Sequence, residues 1–197
     1  MPVFLHGLST ALPPHCLTQT DVRDRAAIIF GGKYPQFDRL SKSFASAGID
    51  RRYSVVPIDW FSEEHGWVDR NRAFMQGARA LFIEAANAAL QNAGWRSDEV
   101  DCVVTVSSTG IATPTLEAQV FSDMGFRKDI MRVPLFGLGC AGGVSGLSVA
   151  RTLAAGRQGA KVLLVVVETC SLAFRADRLQ KADIIATALF GDGAAAA

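Results

Sequence analysis

Residues 132–150 read RVPLFGLGCAGGVSGLSVA, and the local structure of this stretch follows from its pattern of apolar residues and glycines. Residues 133–136 are apolar and prone to form a strand, and Gly137 ends that run. From Val144 onward, apolar residues recur at the spacing of a helix. The stretch therefore predicts a strand, a glycine turn that carries Cys140, and a helix.

Cys140 is the candidate nucleophile of this turn. The first N–H groups of a helix lack partners within the helix and carry partial positive charge, so they stabilise a nearby thiolate. Gly139 and Gly142 leave space for an acyl group and allow backbone N–H groups to approach its oxygen. This pattern is typical of a cysteine that carries an acyl group as a thioester.

Two other interpretations of the same turn stay open. Most cysteines of globular chains are small buried hydrophobes, and Cys140 could be one of them. Alternatively, Gly137, Gly139 and Gly142 satisfy the dinucleotide-binding pattern G-x-G-x-x-G, with Glu168 at the end of the next predicted strand. That pattern indicates an NAD(P)-binding oxidoreductase, although here it does not open the domain, where the first βαβ unit normally places it.

The composition is that of a globular chain without an evident charged partner. The chain has 197 residues, 49% of them hydrophobic, and its 20 basic and 19 acidic residues leave a net charge of +1. This balance does not favour nucleic acid or an anionic membrane as a partner. Four widely spaced cysteines without a His/Cys cluster predict neither disulfides nor a metal site, as in a cytoplasmic protein. Residues 1–17 do not resemble a signal peptide, and the longest apolar run, residues 162–167, is too short to span a membrane.

Strands and helices alternate along the chain, which predicts an α/β fold in layers. Apolar patterns predict strands over residues 2–9, 50–56, 100–107, 133–136, 159–168 and 190–197. Helical spacing predicts helices over residues 18–30, 37–47, 71–93, 115–124, 144–155 and 183–189, with Thr20 as a cap of the first. The strand over residues 159–168 is almost continuously apolar, so both of its faces should be covered.

Six segments of the chain, taken together, resemble the type III polyketide synthases, which are the chalcone and stilbene synthase family of the thiolase superfamily. In the order of the family they are Arg51-Arg52-Tyr53, Ser108-Thr109-Gly110 with Pro114, residues 139–143, Glu168, Phe174-Arg175 and residues 188–196. The resemblance implies a thiolase-like layered α/β/α fold, a mixed sheet with flanking helices. It also implies that residues 1–197 are the N-terminal half of that domain, with the C-terminal half absent. The ketoacyl-ACP synthase III enzymes of fatty acid synthesis share the cysteine turn and stay an alternative, but the Arg-Arg-Tyr and Ala-Phe-Arg segments favour the polyketide synthases.

The resemblance implies roles for particular residues. Cys140 matches the nucleophile that accepts an acyl group from acyl-CoA before decarboxylative condensation with malonyl-CoA. Phe190 matches the aromatic gatekeeper between the CoA tunnel and the cavity, and Arg39 and Lys42 match basic positions that contact the CoA phosphates. The positions that line the cavity are Ser108, Thr113, Cys170 and Ala173. The implied enzyme is a homodimer that uses CoA thioesters as substrates, with no tightly bound cofactor and no metal.

The cavity positions depart from the plant members of the family. Those enzymes usually carry threonines at the positions of Cys170 and Ala173 and a methionine at that of Thr113. The smaller Ala173 should widen the cavity. We therefore expect a bulkier or longer starter, such as a fatty acyl group, which gives alkylpyrones or alkylresorcinols rather than chalcone-like products.

A second departure concerns the condensation step. The family uses a His and an Asn from its second half to stabilise the enolate that forms when malonyl-CoA loses CO2. The histidines of this chain, His6, His15 and His65, all precede Cys140, and none occupies a matching position. We therefore expect residues 1–197 to accept an acyl group but not to condense it.

A third class of function is a non-catalytic partner, a half-domain that dimerises through its apolar surface and only scaffolds. It predicts a Cys140 without unusual reactivity. For the acidic residues of the motifs we expect structural roles. Asp192, within Gly191-Asp192-Gly193, should brace a wall of the cavity, and Glu168 should bind backbone N–H groups.

Overall fold

The computed structural model describes residues 2–175, 177 and 180–197. Its strands are β1 (Ser9–Ala11), β2 (His15–Thr18), β3 (Arg51–Ser54), β4 (Cys102–Val106), β5 (Met131–Leu135), β6 (Val162–Thr169) and β7 (Asp192–Ala196). Its helices are α1 (Gln19–Phe30), α2 (Phe37–Ser46), α3 (Trp67–Ala93), α4 (Leu116–Gln119), α5 (Phe121–Met124), α6 (Gly142–Gly156) and α7 (Lys181–Leu189). Short 3-10 turns cover Ile58–Ser62, Ser97–Glu99, Gly139–Ala141 and Cys170–Ala173.

The described residues form two units, which we name the sheet unit and the helical unit. The sheet unit comprises residues 2–11, 75–168 and 193–197. The helical unit comprises residues 12–74 and the described part of residues 169–192. Each unit is therefore assembled from stretches that are distant in the sequence.

The sheet unit is built on five strands in the order β1-β7-β6-β4-β5. Strand β4 pairs in parallel with both β5 and β6, with Val104 opposite Val133 on one side and Leu164 on the other. Strand β1 pairs antiparallel with β7. Leu164 and Ala197 exchange both backbone hydrogen bonds, as antiparallel neighbours do. The sheet is therefore mixed, which confirms the predicted fold class.

The core of the sheet unit centres on β4, whose residues are all buried. Helix α6 packs against the apolar cluster that contains Val104, Val106 and Leu164. An added Cβ at Gly146 would lie 2.8 Å from a methyl carbon of Val106 and 2.9 Å from one of Leu164. The lack of a side chain at Gly146 therefore allows α6 to lie close to the sheet.

Apolar side chains of α1, α2 and α7 form the core of the helical unit. Its largest buried members are Phe30, Phe37, Phe44 and Ile184. Helix α1 begins directly after β2, and the Thr18 hydroxyl oxygen accepts a hydrogen bond from the Asp21 N–H at 3.1 Å. The cap predicted at Thr20 is therefore wrong by two residues, because the cap is the last residue of β2.

The first strand is shorter and later than predicted. The predicted strand over residues 2–9 is wrong, since β1 begins only at Ser9. Gly7 lies against the end of α3, where an added Cβ would be 2.3 Å from the Ala89 carbonyl oxygen. A short apolar segment that packs along a helix has the same composition as a strand, so the pattern did not separate the two.

Two helices and one strand also differ from their predictions. The predicted helix over residues 115–124 is divided into α4 and α5, which meet at Val120. Helix α3 begins at Trp67, earlier than predicted, and β2, which pairs antiparallel with β3, was not predicted at all. The other elements agree with their predictions within a few residues. Over the ranges that the structure describes, no helix combines the length and the apolar character needed to cross a bilayer.

Candidate active site

Cys140 lies in the 3-10 turn Gly139–Ala141, which leads directly into Gly142, the first residue of α6. Cys140 is exposed. Gly137 and Gly139 have φ values of 81° and 52°, in the left-handed region that favours glycine. The predicted order of strand, glycine turn and helix is therefore confirmed, and the alternative of a buried core thiol does not hold.

The start of α6 gives the turn its electrostatic character. Its cap residue, Ala141, has no side chain that could accept a hydrogen bond from the first turn of the helix. The first N–H groups of a helix together carry about half a positive charge. Cys140 therefore lies in the turn that leads into the partially positive end of a helix.

The loop after β4 contacts the turn that contains Cys140 through the side chain of Ser108. The Ser108 hydroxyl oxygen accepts a hydrogen bond from the Gly139 N–H at 3.1 Å. Both carboxylate oxygens of Glu168 accept from the Ser108 N–H, at 2.9 and 3.0 Å, and one of them also accepts from the Thr109 hydroxyl at 2.7 Å. Glu168, near the end of β6, therefore holds the loop that touches the turn. Thr113 lies further along this loop and is exposed.

The helical unit contains a cavity of about 170 Å³. Three residues that the resemblance assigned to cavity and gate, Cys170, Ala173 and Phe190, line this one cavity. Much of the remaining wall is apolar and comes from β2, α1 and the turn after β3: Leu17, Val22, Ala26, Ile29, Ile58 and Phe61. Sequence reasoning missed this wall, although Val22, Ala26 and Ile29 recur at the spacing of one helix face.

Asp192 braces the part of the wall that Ser171 forms. It is buried, and its carboxylate accepts hydrogen bonds from the Ser171 N–H at 2.7 Å and from the Ser171 hydroxyl at 2.6 Å. The Val55 N–H donates a third bond at 2.9 Å. Burial raises the pKa of Asp192, and the three hydrogen bonds oppose that rise. The carboxylate therefore has a structural role, as expected.

Arg52 was missed as a site residue, although it belongs to a segment that carries the resemblance. Its guanidinium donates hydrogen bonds to the carbonyl oxygens of Thr187, Ala188 and Phe190, the last two at 2.8 and 3.0 Å. Arg52 is buried, and burial lowers its pKa because the charge is less well solvated there. Arg52 therefore holds the end of α7 and the backbone of Phe190.

Arg70, in the first turn of α3, holds another part of the lining. Its guanidinium donates to the carbonyl oxygens of His65 and Leu172 at 2.8 and 2.7 Å, and also to that of Phe174. Burial is the main cause that lowers the pKa of Arg70. No motif in the sequence pointed to Arg70, because its partners are backbone carbonyls, which every residue has.

The candidate CoA-binding cations lie on α2. Arg39 and Lys42 are one helical turn apart and are both exposed, whereas Phe37 and Phe44 of the same helix are buried. Since α2 packs through Phe37 and Phe44, both cations stay accessible to solvent. They belong to the helical unit but do not line its cavity.

The glycines of the alternative dinucleotide pattern have different surroundings. An added Cβ at Gly142 would lie 2.6 Å from a methyl carbon of Val106, whereas one at Gly137 or Gly139 would meet no atom within 4 Å. Gly142 therefore serves the packing of α6 on β4. The third glycine of a dinucleotide pattern also serves the close packing of helix on strand, so this contact does not separate the two interpretations.

Comparison with known proteins places the chain in a family. Residues 2–197 match the family model described as chalcone and stilbene synthases, N-terminal domain. The chain is 39% identical over 192 residues to a 1,3,6,8-tetrahydroxynaphthalene synthase of Streptomyces peucetius subsp. caesius, an alignment that covers 96% of this chain and 50% of that protein. It is 30% identical over 199 residues to Pks18 of Mycobacterium tuberculosis, named an alpha-pyrone synthesis polyketide synthase-like protein, over 98% of this chain and 50% of that protein.

A solved structure agrees with these matches. The crystal structure of 1,3,6,8-tetrahydroxynaphthalene synthase from Streptomyces coelicolor A3(2), described as a bacterial type III polyketide synthase, superposes with a TM-score of 0.93 at 28% sequence identity. The match covers 98% of this chain and 56% of that one. The chain thus spans about half the length of the curated relatives that it matches. With its mixed sheet, its cysteine turn and a match over nearly every residue, the chain belongs to the chalcone and stilbene synthase family, that of the type III polyketide synthases.

Proposed function

We propose that this chain carries the acyl-accepting step of a type III polyketide synthase, with Cys140 as the nucleophile. The thiolate sulfur of Cys140 attacks the carbonyl carbon of an acyl-CoA, a new carbon–sulfur bond forms, and the bond to the CoA sulfur breaks. The CoA thiolate takes up a proton that balances the one lost by Cys140. The observation that carries the proposal is the exposed position of Cys140 in a glycine turn at the start of α6.

The surroundings of the turn support this chemistry. Partial positive charge at the start of α6 favours the negative oxygen of the tetrahedral intermediate. An added Cβ at Gly137 or Gly139 would meet no atom within 4 Å, so the space next to these two residues of the turn is open. The bond from the Gly139 N–H to Ser108, which Glu168 holds in place, keeps the backbone of the turn fixed.

CoA recognition is proposed for Arg39 and Lys42. Two exposed cations one turn apart on α2 can neutralise phosphate charge without a rigid pocket. The substrates are then acyl-CoA and malonyl-CoA, which bind and leave as CoA thioesters. This mode of use needs no tightly bound cofactor.

The starter is proposed to be a fatty acyl group. The wall of the cavity that Cys170, Ala173 and Phe190 share is mainly apolar, which favours an alkyl tail over a polar one. Ala173 adds little bulk to that wall. The products are then alkylpyrones or alkylresorcinols, and the name of Pks18, which refers to alpha-pyrone synthesis, supports a pyrone product.

Condensation is proposed to need groups other than those of residues 1–197. Loss of CO2 from malonyl-CoA leaves an enolate whose oxygen requires hydrogen-bond donors. The His and Asn that supply them in this family have no counterpart here, and the matched relatives are about twice as long. We therefore propose that residues 1–197 are the N-terminal half of a thiolase-like domain that works as a homodimer.

Acyl loading is tested by mass spectrometry of the intact chain after incubation with acyl-CoA thioesters of increasing chain length. We expect a mass gain of one acyl group that is lost in Cys140→Ala. The gain should persist in Cys16→Ala, the matched control, because Cys16 is also exposed but lies outside the turn. Cys102 should stay unmodified, since burial raises the pKa of its thiol to about 11.

Other outcomes would favour the alternatives. No mass gain with any acyl-CoA would contradict the proposal, and loading by aromatic starters alone would contradict a fatty acyl starter. If iodoacetamide labelled Cys16 as fast as Cys140, the non-catalytic interpretation would gain support. Binding of NAD(P) at millimolar concentration without acylation would favour an oxidoreductase.

A further inference from the structure

We propose that Arg52 and Arg70 are positioning residues that together set the width of the cavity in the helical unit. Arg52 is buried and Arg70 is half-buried, and each holds a different part of the wall through backbone carbonyls. Both act through the segments that they hold. The inference rests on the proposed function only for its effect on acyl selectivity.

Arg52 fixes the segment that carries the gatekeeper. Helix α7 ends at Leu189 and the chain becomes extended at Phe190, so the last carbonyls of the helix need partners from outside it. Arg52 supplies them for Thr187, Ala188 and Phe190, and its positive charge faces the negative end of the helix dipole.

Further contacts of Arg52, Gln19 and Gly191 restrict the position of the segment that contains Phe190. Arg52 also donates to the side-chain oxygen of Gln19, whose amide donates to the carbonyl oxygens of Ala188 and Phe44, each at 3.0 Å. An added Cβ at Gly191 would lie 3.1 Å from the Arg52 Cβ, so the chain after Phe190 packs directly on β3. The backbone of Phe190 is therefore tied to both α1 and β3.

Arg70 fixes the segment that carries Ala173. It donates to the carbonyl oxygens of Leu172 and Phe174, the two neighbours of Ala173 in the chain. The ring of Trp60 lies over the guanidinium, with 5.7 Å from the Arg70 Cζ to the ring centroid. Ala173 is therefore held from both sides by one cation whose own position is fixed.

Arg52 and Arg70 hold these segments through the hydrogen-bonding geometry of the guanidinium more than through its positive charge. A guanidinium offers five N–H donors in a planar fork, whereas the ammonium group of lysine offers three from a single atom. A lysine at position 52 would keep the positive charge but could not reach three carbonyls and Gln19 at once. Substitution by lysine therefore separates positioning from charge.

The first test is hydrogen exchange of backbone amides in the full chain. Arg52→Lys should accelerate exchange about tenfold or more over residues 187–191 and leave residues 171–174 unchanged, because a charged hydrogen-bond network opens locally. Arg70→Lys should have the opposite pattern. The matched controls are Arg51→Lys and Arg72→Lys, which alter exposed neighbours and should change neither segment.

The second test measures which acyl-CoA thioesters the chain binds when long and short ones compete. With either part of the wall released, the cavity of the helical unit distinguishes chain lengths less well. We expect the binding ratio of preferred to disfavoured chain length to fall by about fivefold in Arg52→Lys and in Arg70→Lys, and to stay constant in both controls. A residue that only stabilises the fold would lower the melting temperature without changing this ratio.

The outcomes distinguish the inference from the proposed function. Uniform acceleration of exchange, or local acceleration with an unchanged binding ratio, would overturn the inference. If the unmodified chain accepts no acyl group on Cys140, the proposed function fails, and the exchange data still decide the positioning role: segment-specific acceleration supports it and uniform acceleration overturns it.

Discussion

At the scale of single residues, the position of α6 depends on a missing side chain. Gly146 is buried in the middle of α6, and an added Cβ would come within 3 Å of both Val106 and Leu164. Gly143, in the first turn of the same helix, has no atom within 4 Å of an added Cβ. The two glycines therefore differ in packing while sharing one helix.

This difference gives a first prediction for stability. Gly146→Ala should lower the free energy of unfolding by about 1–3 kcal/mol, because the methyl group overpacks the contact with β4 and β6. Gly143→Ala should be neutral or stabilise by up to about 1 kcal/mol, since alanine favours a helix and meets no neighbour. Urea unfolding of both variants checks this, and equal stabilities would contradict the packing argument.

Among single residues, a candidate nucleophile was easier to find in the sequence than the residues that hold backbone segments in place. Cys140 stands out because a thiol between glycines is rare and has a chemical meaning. Arg52 and Arg70 act through backbone carbonyls, and no pattern of side chains marks which carbonyls lack partners. Their roles depend on where α7 and the turn at residues 170–173 end, which only the folded chain determines.

At the scale of elements, Asp101 joins the starts of three parallel strands. Its carbonyl oxygen accepts from the Met131 N–H at the start of β5, and its carboxylate accepts from the Lys161 N–H, just before β6, at 2.9 Å. The side chains of Arg127 and Arg157 lie 3.2 Å from the same carboxylate. The Lys161 N–H and then Arg127 hold the pKa of Asp101 below its usual range, although partial burial opposes them.

Asp101 therefore gives a prediction that depends on pH. A lowered pKa means that the carboxylate stabilises the fold above its ordinary pKa, and that this contribution is lost as the pH falls through the lowered value. Asp101→Asn should cost about 1–2 kcal/mol of unfolding free energy at neutral pH and progressively less in acid. Chemical unfolding across that pH range measures the difference.

The control for this prediction is Asp129→Asn. Asp129 also pairs with Arg127, at 3.1 Å, but its side chain is 79% exposed. An exposed pair contributes little, so this variant should change stability by less than about 1 kcal/mol at any pH. A loss as large as that of Asp101→Asn would contradict the prediction. It would show that the ion pair with Arg127, and not the hydrogen bond from the Lys161 N–H, accounts for the stability that Asp101 contributes.

The elements themselves were predictable where one pattern continued over many residues. Helix α3 and strands β4 and β6 have long apolar stripes or runs, and their presence follows from the sequence. Val120 interrupts the predicted helix over residues 115–124 although the apolar spacing continues through it. Strand β2 has only four residues, and its pairing with β3 joins parts of the chain that local patterns do not connect.

At the scale of the whole chain, the sheet unit exposes large apolar side chains. Phe4, Leu5 and Leu8 lie exposed in the N-terminal segment, and Val144 and Leu147 lie exposed on α6. Exposed apolar surface of this kind marks an interface with another protein surface. It is consistent with the proposed homodimer and with the non-catalytic interpretation alike.

We predict that the chain associates with itself as its concentration rises. Val144→Gln combined with Leu147→Gln should weaken this association by about tenfold or more, because each removes exposed apolar area from a contact. Sedimentation velocity over a range of concentrations measures it, with Arg151→Gln on the same helix as an exposed polar control. A chain that stays monomeric at high micromolar concentration would refute the apolar surface as a self-association site.

The interleaved make-up of the helical unit has a consequence for biosynthesis. Residues 12–74 leave the ribosome before residues 75–168, and their packing partners in residues 169–192 emerge only after both. Contacts between such distant stretches form late, because loop closure costs entropy before any contact repays it. Until residues 169–192 have been made, the apolar sides of α1 and α2 are thus uncovered, which makes the nascent chain a candidate client for chaperones that bind hydrophobic segments.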